Sequence, residues 1–157
     1  MILRFIEGGK FVPSGIIEYA TRCRWSHVEA IGLEGTFGAQ LSGGVIWRSL
    51  DDACYRGTKN VEVLNLTLTL EQEKAIWKFL DAQEGKPYDW RAILGFGLGR
   101  RDWREEDSWF CSELQTRALE VAGVVKLPTD IPVWRITPRD LWLLTSGLSV
   151  TTITPSR

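Results

Sequence analysis

The sequence predicts an α+β domain, a small, barrel-like antiparallel sheet packed against helices. Three observations predict it. Strand-like segments fill the first half of the chain and helix-like segments the second, an order that segregates sheet from helix. Glycine turns separate neighbouring strand-like segments at Glu34-Gly35 and Ser42-Gly43-Gly44, which suits hairpins. The 157 residues, 44% hydrophobic and 25% charged, have the balance of one soluble domain with one core. Residues 1–157 carry no internal repeat, low-complexity tract or linker, so they are read as a single domain.

Each element has its own signal. Ile2–Glu7 is strand-like and ends at Gly8-Gly9. Pro13-Ser14-Gly15 opens a short helix through Ile16, Ile17 and Ala20, with Ser14 as its cap. Residues 26–33 read as a strand, Glu34-Gly35 as a tight hairpin turn, and residues 36–41 as the returning strand. Residues 45–50 follow after the second glycine turn, and Val61–Leu66 alternates at period two. Thr69-Leu70-Glu71-Gln72 has the form of a capping box. The helix behind it turns Ile76, Trp77, Leu80 and Phe79 inward and stops by Gly85-Lys86-Pro87. Residues 89–96 suggest a short helix interrupted by glycines. Asp107 or Ser108 caps a longer helix that runs to Gly123, a common stop. Thr137-Pro138-Arg139-Asp140 opens the last helix with proline at its first position.

Composition narrows the function. A formal net charge of -1 lacks the basic excess of a nucleic-acid binder. No run approaches the roughly 20 apolar residues that span a bilayer. The first residues show no signal peptide, so a cytoplasmic location is the default expectation, with virion assembly or release on lysis as routes that use no signal. Cys23, Cys54 and Cys111 form no CxxC pair and are joined by a single histidine, His27. That is a poor zinc set, and no metal or cofactor is expected. Of the eight tryptophans, Trp77 and Trp142 fall on core spacing. Trp90, Trp103 and Trp109 lie near Cys111 and are candidates for a pocket wall. The charged run at residues 99–107 reads as a solvated loop, the sharper alternative being a flap beside Cys111.

Chemistry centres on His27 and Cys111. Cys111 falls in the first turn of its helix under either cap. There the helix dipole and unpaired N–H groups favour the thiolate and can hold an oxyanion. Leu114, Ala118 and Val121 follow on nearly the same face, so the sulfur should point toward the sheet. Alternation along the histidine strand puts His27, Glu29 and Ile31 on one face. If that face meets the helices, His27 meets Cys111. A base also needs a third group to orient its ring, and Gln40 on the next strand and Glu29 are the candidates. The bland alternative is a packed histidine and a small buried thiol.

Three ordered blocks resemble the circularly permuted branch of the NlpC-type, papain-like cysteine hydrolases. They are Ser26-His27-Val28 with its hairpin, Gly43-Gly44-Val45 with Arg48, and Gly85-Lys86-Pro87-Tyr88-Asp89 leading to Phe110-Cys111-Ser112-Glu113-Leu114. Histidine precedes cysteine, as in the permuted branch, and the variant is similar to phage and prophage proteins. The resemblance implies a permuted papain-like fold with Cys111 as nucleophile and His27 as general base. It places the third polar residue near Ala39 or Gln40. Ala39 has no polar side chain, so Gln40 takes the role, and Tyr88 and Trp109 would line the substrate pocket. The activity implied is cleavage of an amide bond, in a peptide or in the muropeptides of peptidoglycan, through a thioacyl-enzyme. The alternatives are a catalytically inactive phage structural or binding module of the same fold, and a lipid-directed acyltransferase or thioesterase acting on an acyl substrate.

Overall fold

The computed structural model describes residues 1–8, 18–19, 22–50, 60–91 and 107–153, the last five by backbone alone. The helix expected over residues 13–20 lies almost wholly outside the described residues. So do Cys54, Trp103, most of the charged run at 99–107, and the helix expected at 89–96 beyond Arg91.

Six strands form an antiparallel sheet in the order β4-β3-β2-β1-β5-β6. They are β1 (Ile2–Glu7), β2 (Trp25–Ile31), β3 (Thr36–Gln40), β4 (Gly44–Arg48), β5 (Val61–Leu66) and β6 (Ser149–Ile153). Among the described residues, three complete helices accompany them: α1 (Leu70–Asp81), α2 (Cys111–Val121) and α3 (Pro138–Ser146). A short 3-10 turn at Val133–Arg135 precedes α3. The α+β class expected from segment order is the class observed. The barrel-like closure is corrected, because the sheet is open, with β4 and β6 at its two ends. The outer backbone of β4 bonds to the segment after α1: Val45 N–H donates to Lys86 O at 2.8 Å, and Gly85 N–H to Val45 O at 2.8 Å.

Period-two alternation assigns the two faces. The registers pair Leu3 with Ala30 and Leu64, Phe5 with Val28, Ala30 with Phe37, and Phe37 with Trp47. These residues form the apolar face, and it is the face the helices cover. Trp47 stacks on Trp77 of α1 with centroids 5.3 Å apart and meets Phe37 edge-on at 5.0 Å. Gln115 of α2 donates to Phe37 O at 3.0 Å. Trp142 of α3 donates from Nε1 to Glu62 Oε1 at 2.9 Å. Leu3, Phe5, Val28, Phe37, Leu64, Ile76, Leu80, Leu114 and Leu141 are fully buried in this core. A large apolar side chain buried in this way contributes about 1.5–3 kcal/mol of transfer free energy.

Helix starts follow the cap chemistry, with one correction. Thr69 Oγ1 accepts from Gln72 N–H at 3.2 Å and Gln72 Oε1 accepts from Thr69 N–H at 3.0 Å, the predicted capping box. Thr137 and Asp140 do the same for α3, with Pro138 at its first position. For α2, neither Asp107 nor Ser108 is the cap. The helix begins at Cys111 with Phe110 as N-cap. The reason is lateral pairing just before it: Trp109 N–H donates to Pro87 O and Asp89 N–H to Trp109 O, both at 3.0 Å. With its backbone committed sideways, Trp109 stays extended. Leu114 and Ala118 are buried as expected, whereas Val121, at the helix end, is half exposed. Strand β6 carried no signal read from the sequence; its Ser-Val-Thr-Thr-Ile run pairs with β5.

Candidate active site

His27, Glu29 and Gln40 come together at one end of the sheet, where β2 starts and β3 stops. Continuing the register of Ala30 with Phe37 sets Gly38 against Glu29 and Gln40 against His27. The Gln40 amide nitrogen lies 3.1 Å from His27 Nε2 and 3.2 Å from Glu29 Oε2. Gly38 leaves space for this cluster, since a Cβ there would stand 3.1 Å from Glu29 Cβ. His27 is partly buried, and its Nε2 is 3.8 Å from Glu29 Oε2.

Behind this pair stands Arg4. Its register partner on β2 is Glu29. Arg4 Nε donates to Glu29 Oε1 at 2.6 Å, and Arg4 Nη2 contacts the same oxygen. Glu29 is 0% exposed and Arg4 8%. Burial alone would push the Glu29 carboxyl up. The His27 ring and the Arg4 guanidinium more than offset this and hold it below the usual range. The sequence reading left Glu29 open as an orienting residue and did not reach Arg4. The available signal was a charge inside the apolar run Ile2-Leu3-Arg4-Phe5-Ile6, at the same strand parity as the histidine face.

Cys111 reaches this end of the sheet by a different route. The bonds from Val45 to Lys86 and from Pro87 to Trp109 carry the chain from β4 to the start of α2. Gly44 makes the approach close: its φ is +74°, and a Cβ would meet Lys86 O at 2.2 Å. Gln40 pairs with Gly44 and Ala39 with Val45, so this ladder meets the sheet where β3 ends. From there α2 runs back over β3, where Gln115 bonds Phe37. Cys111 is the first residue of α2, a free thiol, and 0% exposed. The first N–H groups of the helix gather around it.

The faces differ from the expectation. Arg4, His27, Glu29 and Gln40 lie on the face opposite Val28, Ala30 and Phe37, and the helices cover the latter. Strict alternation from Val28 to His27 forces this. The route expected to bring His27 to Cys111, a histidine face turned toward the helices, is therefore corrected; the two are linked only through the sheet end where β3 stops, which the segment leading to α2 borders at Val45. The remaining predicted residues pack around the start of α2. Tyr88 and Trp109 form a parallel backbone bridge. The Tyr88 ring lies 5.9 Å from Phe110. Trp109 sits edge-on to Phe79 at 5.9 Å and donates from Nε1 to Gln83 Oε1 at 3.1 Å, so its ring faces α1. A separate concavity of about 700 Å³ opens at the far end of β2, lined by Ile31, Leu33, Trp47 and Trp77 among others.

Neither the family models nor the curated proteins contain a match to this chain. Among solved structures, the chain is similar to the crystal structure of the metalloprotein yiiX from Escherichia coli O157:H7, DUF1105. The TM-score is 0.65 at 16% identity, covering 99% of this chain and 95% of that one. The likeness is one of fold. Among the described residues, no helix is long and apolar enough to cross a membrane.

Proposed function

We propose that the protein is a cysteine hydrolase of permuted papain-like architecture, cleaving an amide or acyl bond with Cys111 as nucleophile and His27 as base. His27 takes the thiol proton, the thiolate attacks the carbonyl, and the N–H groups at the start of α2 receive the oxyanion. Water then releases the acyl group with His27 again as base. Gln40 orients the ring. One observation carries this reading: the backbone ladder from Val45 through Lys86 and Pro87 to Trp109 brings the start of α2 to the sheet end that holds the His27–Gln40 pair.

A non-catalytic binding or structural module of the same fold is the second reading. The complete burial of Cys111 among apolar residues favours it, because a small buried thiol packs well without chemistry. A metal-dependent reaction has less support. The fold neighbour is named a metalloprotein, yet among the described residues no group of three or more His, Cys, Asp or Glu stands together. His27 and Glu29 are adjacent, but Arg4 already holds Glu29. Such a pair does not fit a zinc-type site, which uses at least three protein ligands.

The test is iodoacetamide labelling of the native protein at mildly acidic pH, with each modified cysteine mapped. Cys111 is expected to label faster than the more accessible Cys23, and His27→Ala is expected to abolish that preference. Labelling of Cys111 no faster than Cys23 would sink the hydrolase and leave the binding module. If Cys111 is reactive, assays with muropeptides and with acyl lipids separate an amidase from an acyltransferase or thioesterase.

A further inference from the structure

We propose that Gln115 is a positioning residue for the Cys111 thiol: it pins the first turns of α2 to β3, the strand that also carries Gln40. This role rests on the Cys111–His27 reading above.

Strand β3 is held unevenly. It pairs with β4 along its whole length, from Thr36–Arg48 to Gln40–Gly44. With β2 it keeps two ladder pairs, Ile31–Thr36 and Ala30–Phe37. Past Phe37 a side chain takes over, and the Gln40 amide reaches His27 and Glu29. Phe37 is thus the last residue of β3 in the β2 ladder, and α2 attaches there. Gln115 Nε2 donates to Phe37 O at 3.0 Å.

Gln115 follows Cys111 by four residues, so the two lie one turn apart on the same helix face. That face is core: Cys111, Leu114, Gln115 and Ala118 are all fully buried. An apolar side chain would fill the same space without burying an amide. Gln115 instead leaves its Oε1 without a hydrogen-bond partner among the described residues, a cost that packing alone does not explain. A hydrogen bond supplies what an apolar contact lacks, a preferred direction and distance. The rest of the helix start does not supply it. The N-cap Phe110 has no side-chain acceptor, and Ser112 bonds to Ile136 O at 2.6 Å, outside the sheet. One strand then sets both groups of the dyad. Cys111 is placed from Phe37 through Gln115, and His27 from Gln40, three residues further along β3. In this way a thiol on the helix side keeps a fixed relation to a ring held on the other face.

Iodoacetamide labelling followed as a function of pH reads that relation, because only the thiolate reacts. In the native protein, Cys111 labelling is expected to persist to lower pH than Cys23 labelling. Gln115→Met keeps the length of the side chain and removes the amide, while Phe37 keeps its ladder partner Ala30. The variant is expected to move the Cys111 profile up in pH to that of Cys23. A change of packing or access alone would scale the rate by one factor at every pH and leave the profile in place. An unmoved profile in Gln115→Met, whatever the rate, would therefore overturn the proposal. Gln115→Leu serves the same test if the methionine variant does not fold. Failure of both to fold would assign Gln115 to folding and overturn the proposal too. The two readings fail separately. Native Cys111 that labels like Cys23 at every pH discards the dyad, and the positioning role with it. A displaced native profile that Gln115→Met leaves unmoved keeps the dyad and discards Gln115.

Discussion

At the scale of the residue, the buried Arg4–Glu29 pair is the costliest feature of the site. Two charges taken out of water are tolerated because each satisfies the other. Removing one partner strands the second. Glu29→Ala is expected to destabilise the fold by about 3–5 kcal/mol, and the Arg4→Met, Glu29→Met double variant by much less, since replacing both ions with apolar groups is often close to neutral. Urea unfolding of the three proteins checks this; equal losses in the single and double variants would show that the pair is not coupled. That Gln40 stands beside His27 was legible from the hairpin count; that both lie on the face away from the helices was not. Arg4 was not, because its meaning depends on β1 lying beside β2, a pairing that no local pattern specifies.

At the scale of the element, glycine positions and caps decide where chains approach. Gly44 adopts φ +74° and leaves no space for a Cβ beside Lys86 O. Gly44→Ala is therefore expected to cost more than about 1 kcal/mol, the strain of a side chain at an incompatible backbone angle. It would also push the Lys86–Pro87 segment away from β4 and so move the start of α2. A lower urea midpoint together with loss of Cys111 labelling preference is the expected outcome; an unchanged midpoint would mean that the segment adapts. The capping box at Thr69 was readable because both partners sit within four residues of sequence, and the start of α3 was readable from Pro138 at its first position. The start of α2 was misread by the same logic. Asp107 and Ser108 are good caps by type, but the helix start is set by the pairing of Trp109 with Pro87, more than twenty residues away in sequence. Strand β6 was missed for a similar reason, being defined by its partner β5.

At the scale of the whole molecule, the charge balance bears on how acid acts. With a formal net charge of -1, long-range repulsion is small near neutrality, so specific carboxylates weigh more. Glu29 ionises more readily in the folded chain than an ordinary glutamate does. Its contribution to stability is complete above the unfolded value, about 4.3, and is lost as pH falls through its lower folded value. The urea midpoint of the native protein should therefore drop as pH falls through that range, and the Arg4→Met, Glu29→Met variant should show a shallower drop. Parallel curves would assign acid sensitivity to other carboxylates. The α+β class was legible from segment order alone. Openness of the sheet was not, because closure depends on whether the outer strands pair with each other, and here the outer backbone of β4 at Val45 bonds to Gly85 and Lys86 instead.

That edge carries a further consequence. An unpaired strand edge is a template on which a second chain can add itself, and proteins cover such edges to stay apart. Here the cover, Gly85 and Lys86 bonded to Val45, belongs to the same stretch that carries the chain to Cys111. Peeling residues 85–87 from β4 would displace the thiol and uncover a sticky edge in one motion. Damage to the site and self-association would then arrive together, as two readouts of a single detachment.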